Sequence, residues 1–350
     1  MLSLPQMAAR SMRKRLRRPL EDWLKLRRAR GPLCFVGDVH GHLDKLETLW
    51  DKLPAAVGGE DVFEKMTVTF LGDYCDKGPD TAGVIEWMTK LQERHPEQKH
   101  IWLCGNHDFA LSAFLGLLDL RTTPTDMAFD PNAREAFMAK LPGENMYKGP
   151  GHETMHLQGV RYAAEPKSVY ESHATFASYG VPYGDREGLL KAMPTSHQEF
   201  LRNLEWIAEI GSGVGHVIAV HAGLEECTGE AELGQVIEWL RERNEAVASQ
   251  PFIEPLSGRS NVERMPSSLR PYFPDREYAQ PINPPYFLIS GHHGFVRVAG
   301  RRIVLDMCGG KAERDLAAMI ISRDRAGMTF NSFSDEQGVR QKIVTSRISS

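Results

Sequence analysis

The stretch LGDYCDKGPD, residues 71–80, contains more charged side chains than a simple chain reversal needs. It continues the apolar run MTVTFL (66–71), and its two glycines permit a sharp change of direction. Asp73, Asp76 and Lys77 stand within five consecutive residues, whereas a turn requires only residues such as Gly, Pro or Asn. We therefore interpret the stretch as a strand followed by a functional loop.

Four other apolar runs of strand length end in a similar way. The runs at 33–36, 100–104, 215–220 and 285–290 lead into GDVHG (37–41), GNHD (105–108), HAG (221–223) and GHHG (291–294). With two further runs at 301–307 and 317–322, they alternate with stretches of helical period at 42–53, 80–94, 109–118, 195–209 and 231–245. This alternation predicts an α/β fold. Because sites in open α/β sheets form beyond the carboxyl ends of strands, we expect the five loops to converge on one crevice.

The side chains in these loops suit metal ions. Asp38 and His40 are two residues apart at a strand end, where alternate residues face the same side, so both can hold one cation. The collected set comprises three imidazoles, two carboxylates and an amide, namely Asp38, His40, Asp73, Asn106, His221 and His292. Mixed nitrogen and oxygen ligands suit manganese, iron or zinc. With one carboxylate bridging, the set predicts two metal ions about 3.5–4 Å apart.

The same motifs resemble those of a known family. GDVHG, GDYCDKG, GNHD, HAG and GHHG are similar to the signatures of the phosphoprotein phosphatase (PPP) family of metallophosphoesterases, over about residues 35–310. The likeness is strongest to a bacterial-like class found in plants, the Rhizobiales-like phosphatases, through GNHDFALSAFLGLL, HETMHLQG, TFASYGVP, AVHAGLE, LSGRSNV and SGHHG. This resemblance implies a calcineurin-like fold, with a central β-sandwich flanked by helices in α/β/β/α layers and a mainly helical insert. It also implies a dinuclear metal centre and hydrolysis of phosphomonoesters, with a leaning toward phosphotyrosine proteins.

The resemblance also implies a role for each site residue. One metal would be held by Asp38, His40 and Asp73, and the other by the bridging Asp73 with Asn106, His221 and His292. His107 would be the general acid, oriented by Asp76. A hydroxide bridging the two ions would be the nucleophile, because paired metal ions lower the pKa of bound water.

Phosphate binding is where this chain departs from the family. Lys77 stands where the family usually has an arginine, and a lysine lacks the bidentate fork of a guanidinium. We therefore expect phosphate to be bound by Lys77, Asn106 and a second cation, for which Arg259 in LSGRSNV is the candidate. Asp108 replaces the usual Glu of GNHE, which shortens a contact outside the ligand set.

The substrate preference follows from the leaving group. A phenol has a pKa of about 10, so an aryl phosphate leaves more easily than an alkyl phosphate and needs its general acid less. Five aromatic residues between GNHD and HAG are candidate walls for an aromatic ring: Tyr162, Tyr170, Phe176, Tyr179 and Tyr183. We therefore expect a phosphotyrosine-containing protein substrate, with no membrane or nucleic acid partner.

Three other functions fit parts of the pattern. Dinucleoside tetraphosphatases, or other nucleotide metallohydrolases of the same fold, share GDVHG-like, GNHD and HAG motifs but lack the carboxylate at Asp76. A cysteine-dependent phosphatase would use Cys308 and Arg314, which have the Cys-x5-Arg spacing, although Glu313 would repel the phosphate. A non-catalytic scaffold of this fold would have little reason to keep all six ligands with His107 and Asp76.

The composition indicates how the chain divides into segments and in which cellular compartment it belongs. Residues 1–31 contain ten Lys and Arg and two acids, so they carry +8 while the remainder carries −12. We interpret them as a basic extension, either a solvated tail, an organelle-targeting segment, or a nuclear-import or polyanion-binding patch. The predicted metallophosphatase domain spans 32–335, with an insert at about 111–214 and a tail at 336–350. Five scattered cysteines and no apolar run near about 20 residues indicate an intracellular protein, cytoplasmic or nuclear unless the extension targets an organelle.

Overall fold

Two six-stranded sheets form the centre of the fold. The computed structural model describes residues 27–118, 161–163, 168–224, 226–227, 230–241, 254–259, 265–266, 269, 286–323, 333–334 and 339–347. The strands are β1 Arg27–Arg28, β2 Leu33–Val36, β3 Thr67–Phe70, β4 Lys99–Trp102, β5 Ala208–Ser212, β6 Gly215–Ala219, β7 Tyr286–Ser290, β8 Val296–Ala299, β9 Arg302–Leu305, β10 Ala317–Arg323, β11 Phe333–Ser334 and β12 Val339–Thr345. One sheet has the order β1-β5-β6-β7-β9-β8 and the other β11-β12-β10-β2-β3-β4.

Eleven helices are assigned in the described residues. They are α1 Leu43–Trp50, α2 Leu53–Val57, α3 Glu60–Phe63, α4 Thr81–Thr89, α5 Leu91–Arg94, α6 Asn106–Leu115, α7 His173–Ser178, α8 Arg186–Ala192, α9 Thr195–Arg202, α10 Glu230–Arg241 and α11 Glu254–Ser257. None of the described helices combines the length and apolarity that crossing a bilayer requires.

The alternation of side chains along β2 explains the layers. Leu33 and Phe35 belong to the core between the two sheets, whereas Cys34 and Val36 belong to the core under the helices. All four residues are buried, so the strand is a continuous apolar run and not an alternating one. On the outer face of the other sheet, Ile218 packs in the same cluster as residues of α10. The predicted sandwich with helices outside both sheets is confirmed.

Regular structure extends across the predicted domain boundaries. Residues 27–28, assigned to the extension, form an edge strand paired with β5, and residues 339–345, assigned to a tail, pair along their length with β10. The insert, predicted to be helical, also contains strand β5. Of the insert, residues 119–160 and 164–167 lie outside the described part of the chain, as do residues 1–26 of the extension.

Candidate metal centre

The strand order places the predicted metal ligands at one edge of the two sheets. β2, β3 and β4 are parallel neighbours, so the loops after them leave the sheet on the same side. In the other sheet, β6 and β7 are parallel and lead to His221 and His292. His221 Nε2 lies 3.3 Å from Asn106 Oδ1, and the His292 backbone N–H donates to both Asp38 carboxylate oxygens at 3.0 and 3.1 Å. The structure thus brings residues from all five loops together.

Asp73 is the residue shared by two groups able to hold a metal ion. One group is His40, Asp73 and His107, and the other is Asp73, His221 and His292. In each group the ligand atoms lie within 4.8 Å of one another, and every member is buried. The first group differs from the predicted ligand set, because it contains His107 in place of Asp38.

The orientation of two imidazoles fits metal ligation. His40 Nδ1 donates to the carbonyl of Cys75 at 2.9 Å, and His221 Nδ1 donates to the carbonyl of Leu71 at 2.7 Å. A carbonyl can only accept, so these bonds place a hydrogen on each Nδ1 and leave Nε2 as the ring nitrogen that faces the centre. Both Nε2 atoms lie 3.4 Å from a carboxylate oxygen of Asp73. Metal-binding histidines are commonly held in this way, through the ring nitrogen that does not bind the ion.

The electrostatics of the centre favour a bound cation. Burial and the Lys77 ammonium lower the pKa of His40 well below its usual range, so the ring is neutral and can act as a ligand. Burial, Asp306 and Asp73 raise the pKa of Asp38 well above its usual range. Carboxylates crowded in this way are stabilised as anions when a metal ion lies among them. The donor set, its orientation and its charge therefore fit the divalent metals that this chemistry implies.

The backbone is strained at the centre. Six non-glycine residues of the described chain have φ between +46° and +71°, and they are His40, Asp73, Asp76, Lys77, Glu171 and His292. Five of the six belong to the candidate site. Gly105 allows a further close approach, because a Cβ there would lie 2.1 Å from Asp73 Oδ1. Such strain persists where surrounding contacts over-determine a conformation, as at functional sites.

Asp108 holds two of the loops together. Its carboxylate accepts from the backbone N–H groups of Asp73 at 2.7 Å, Tyr74 at 2.9 Å and Gly105 at 2.9 Å. The shorter Asp side chain therefore still reaches the loop after β3 from the first turn of α6. Burial and the nearby charge of Asp73 raise the pKa of Asp108 to about 6.

His107 and Asp76 form the predicted pair. His107 Nδ1 donates to Asp76 Oδ2 at 2.8 Å, and the carboxylate is fully buried. The other oxygen, Oδ1, accepts from the Tyr162 hydroxyl at 2.5 Å and from the Thr175 hydroxyl at 2.6 Å. The Asp76 carboxylate is therefore bonded on both sides, and only Oδ2 faces the imidazole.

Tyr162 and Thr175 extend the site beyond the predicted residues. Tyr162 was predicted as a wall of an aromatic pocket, but it is 0% exposed and bonded to Asp76. Phe176 is also 0% exposed and packs in the core, so it too is unavailable as a wall. Tyr170 is buried with its ring in an edge contact with His107, at 5.3 Å between centroids. Tyr162 and Phe176 therefore fill the interior and do not form pocket walls, whereas Tyr170 lies against the site through its contact with His107.

The two predicted phosphate-binding cations differ in position. Lys77 Nζ donates to His40 Nε2 at 3.0 Å and to the Gly309 carbonyl at 3.3 Å, so its ammonium lies inside the centre. Burial and the neighbouring His221 lower the pKa of His292 well below its usual range, and the exposed Arg259 adds a smaller contribution. The structure thus has one cation within the ligand cluster and a second at its margin.

A comparison with protein families shows the family to which the chain belongs. The model of the calcineurin-like phosphoesterases matches residues 31–294, which is most of the chain. The chain belongs to the calcineurin-like phosphoesterase family. This family comprises metal-dependent hydrolases of phosphate esters, in agreement with the centre described above.

Individual relatives of this calcineurin-like phosphoesterase match only over short segments. It is 35% identical over 75 residues to the asymmetrical bis(5'-nucleosyl)-tetraphosphatase PrpE of Oceanobacillus iheyensis, covering 21% of this chain and 29% of that protein. It is 30% identical over 106 residues to a protein phosphatase 2A catalytic subunit of Dictyostelium discoideum, covering 30% and 31%. The chain spans less than a third of the length of the curated relatives it matches. Among solved structures, the cold-active protein-tyrosine phosphatase of a psychrophilic Shewanella species has a TM-score of 0.45 and 15% identity, with 84% of this chain and 78% of that chain covered.

The sulfur of Cys308 has the wrong surroundings for a nucleophile. Cys308 is 1% exposed, and burial raises the pKa of its thiol above its usual value. The arginine of the Cys-x5-Arg spacing, Arg314, donates to the carbonyl of Gly294 at 2.8 Å. A thiol buried and protonated in this way is unsuited to attack phosphorus.

Proposed function

We propose that this calcineurin-like phosphoesterase is a phosphoprotein phosphatase of the PPP type, related to the Rhizobiales-like class, that hydrolyses phosphomonoesters and prefers phosphotyrosine. The observation that supports this best is the hydrogen bond from His107 Nδ1 to the buried Asp76 carboxylate, since His107 also belongs to one of the two groups that share Asp73. A positioned histidine next to a metal cluster supplies a general acid where phosphate binds.

The proposed ligands are Asp38, His40 and Asp73 for one ion and Asp73, Asn106, His221 and His292 for the other, with manganese, iron or zinc as candidate metals. When bound, the two ions would polarise the phosphate and lower the pKa of a water molecule. Each chain residue then has a distinct task. Asp76 accepts from His107 Nδ1–H and stabilises the imidazolium, and His107 Nε2–H is the proton for the leaving-group oxygen.

Phosphate orientation rests on Lys77, Asn106 and Arg259. Lys77 supplies a single ammonium from within the cluster, and the exposed Arg259 is the proposed second cation. Lysine holds an oxyanion as a point charge, without the two parallel hydrogen bonds that arginine makes. Less rigid binding of the phosphate favours substrates whose leaving group departs with little protonation by the general acid.

Phosphotyrosine fits that requirement. Its phenolic leaving group has a pKa of about 10, far below that of a serine hydroxyl. We therefore expect higher kcat/KM on phosphotyrosine peptides than on phosphoserine peptides of the same sequence. Steady-state kinetics on matched peptides checks this, and equal or better turnover of phosphoserine would contradict the preference and the class, leaving a general metallophosphatase.

A nucleotide hydrolase of the same family is the second candidate. It is favoured by the segment shared with PrpE, whose name describes a bis(5'-nucleosyl)-tetraphosphatase. The Asp76 carboxylate argues against it, because the corresponding motif of the dinucleoside tetraphosphatases lacks a carboxylate at this position. Turnover of diadenosine tetraphosphate with kcat/KM above that of phosphotyrosine peptides would make this the function.

Cys308→Ser should retain activity, since the buried thiol takes no part in the proposed chemistry. We expect kcat on p-nitrophenyl phosphate within about twofold of wild type, the scale expected for a side chain that does not touch the reacting atoms. A chelator should abolish the activity of both proteins. If the folded Cys308→Ser protein is inactive and the wild type stays active with a chelator, the thiol of Cys308 is the nucleophile.

Tyr162→Phe should impair the general acid. It removes one of the two hydroxyl donors to Asp76 Oδ1, so the carboxylate is held less firmly against His107. We expect kcat to fall about tenfold, the lower end for loss of a partner that orients a catalytic group. The loss should be larger for phenyl phosphate than for p-nitrophenyl phosphate, because only the former needs protonation. Tyr179→Phe is the matched control, because the Tyr179 hydroxyl hydrogen-bonds to His197 at 2.9 Å and not to Asp76. If Tyr162→Phe loses the same factor on phenyl phosphate and on p-nitrophenyl phosphate, the role of Tyr162 is purely structural.

A further inference from the structure

A cavity of about 990 Å³ lies at the edge of the sheets opposite the metal centre. Thr67 and Lys99, which line it, are the first residues of β3 and β4, whereas the metal-centre loops follow the last residues of the same strands. A four-residue strand is about 13 Å long. The cavity is therefore a separate site and not part of the catalytic crevice.

Two strands of the other sheet complete the cavity. Gly211 and Ser212 at the end of β5, and His216 near the start of β6, line its second side. A smaller cavity of about 420 Å³ adjoins it and shares Arg28, Thr67 and Lys99 with it. The two volumes form one concave surface between the edges of the sheets.

The charge of this surface is strongly positive. Arg28, Arg30, Lys65 and Lys99 line the larger cavity and are exposed, and Glu97 is the one carboxylate among its lining residues in the described chain. This excess is local, because the whole chain carries −4.

Lys99 is held in place, and the side-chain charges of Arg28 and Lys65 have no carboxylate partner within the described chain. Lys99 Nζ donates to the Arg28 carbonyl at 3.0 Å, which ties β4 to β1. Arg27, one residue earlier, is by contrast paired with Glu205 through both terminal guanidinium nitrogens, at 2.9 and 2.5 Å. In the described chain no ion pair joins Arg28 or Lys65 to a carboxylate, so their charges remain available for an anion.

We propose that this surface binds a compact anion that carries two or more phosphate groups. Arginine forks and lysine ammoniums are the side chains that bind phosphate, and four cations around one cavity exceed the charge of a single phosphate. The volume is that of a small-molecule site. Among the described lining residues there is no Phe, Tyr or Trp on which bases could stack, so a single-stranded nucleic acid fits less well.

The sequence that precedes β1 is also basic. Residues 1–26 contain seven Lys and Arg and two acids, and they join the chain directly ahead of Arg27 and Arg28. A positive field of this kind raises the rate at which anions are captured. The ligand could be a free oligophosphate or a polypeptide with clustered phosphates, since both present the same groups.

Titration calorimetry with inorganic tripolyphosphate tests the proposal. The full chain is used in the presence of a chelator, so that bound metals at the catalytic centre do not contribute. We expect wild type to bind, and Lys65→Gln and Arg30→Gln each to weaken the Kd about fivefold, the scale of one partly exposed ion pair. Lys191→Gln removes the same charge from an exposed position of α8 that does not line the cavity, and it should bind like wild type.

A second arm identifies the source of the phosphates. A doubly phosphorylated peptide that binds with the same dependence on Lys65 indicates a polypeptide ligand, and binding of tripolyphosphate alone indicates a free anion. Turnover of p-nitrophenyl phosphate should be the same in wild type and in the Lys65, Arg30 and Lys191 variants. The binding measurement does not depend on turnover, so the phosphate-binding proposal can be tested even if the proposed catalytic function is wrong. Equal affinity of wild type and Lys65→Gln, or tighter binding of a short oligonucleotide than of tripolyphosphate, would overturn the proposal.

Discussion

His107→Asn is expected to lower kcat by about 10²–10⁴, the usual cost of losing a general acid. The imidazole donates through Nδ1 to Asp76, and its ring lies 4.7 Å from that of His40 between centroids, so it adjoins the ligand cluster. The asparagine can keep a hydrogen bond to Asp76 but cannot deliver a proton. Rates on a series of aryl phosphates should therefore depend more steeply on the leaving-group pKa in the variant than in wild type.

The control for this series is His173→Asn. His173 is an exposed histidine of the insert that stacks on Tyr183, at 3.7 Å between ring centroids, and it belongs to neither metal-binding group. Its variant should retain wild-type kcat and the same leaving-group dependence. Full activity of His107→Asn on phenyl phosphate would show that the roles of His107 and Asp76 are misassigned.

Asp73→Asn should impair the binding of both metal ions, because Asp73 is common to both metal-binding groups. Burial alone would raise the pKa of this carboxyl, but His221 and His107 hold it well below its usual range, so it is an anion in the folded protein. Loss of a residue that only orients a ligand costs 10–100-fold, so loss of a shared ligand should cost more than about 100-fold in kcat. Metal content, measured by atomic emission, should fall from two ions per chain.

The fold of Asp73→Asn should survive. The substitution keeps the side-chain volume, and it removes one of the charges that raise the pKa of Asp38. We expect the urea midpoint to change far less than turnover. Asp61→Asn, at an exposed position in the first turn of α3, removes the same charge away from the centre and should match wild type in both measurements. Two bound ions and normal kcat in Asp73→Asn would exclude a bridging role.

Strands with buried faces were predictable from the sequence, and strands with mixed composition were not. The run at 33–36 is apolar throughout because both faces of β2 are covered, so it stands out by itself. β5 has the sequence AEIGS, in which a carboxylate and a glycine interrupt the pattern. Its Glu209 is tolerated in the interior because Arg241, from α10, donates to both carboxylate oxygens at 2.7 and 2.8 Å. Partners so distant in sequence cannot be inferred from local composition.

The same reasoning applies to the site. The loops that follow β2, β3 and β4 could be grouped because parallel strands end at one edge, and Asp38, His40 and Asp73 carry recognisable metal-ligand chemistry. Tyr162 carried only an aromatic signal, which suggested a pocket wall. Its hydroxyl reaches Asp76 across 86 residues of sequence, and no spacing rule connects the two. Thr175, which contacts the same carboxylate, gave no signal at all.

The most direct test is the turnover of p-nitrophenyl phosphate by the purified chain, with metal content measured on the same sample. We predict two transition-metal ions per chain, loss of activity when a chelator removes them, and recovery on adding back manganese, iron or zinc. An active protein that contains no metal, or one whose activity survives complete removal of the ions, would contradict the proposal that Asp73 and its neighbours form a dinuclear phosphatase centre.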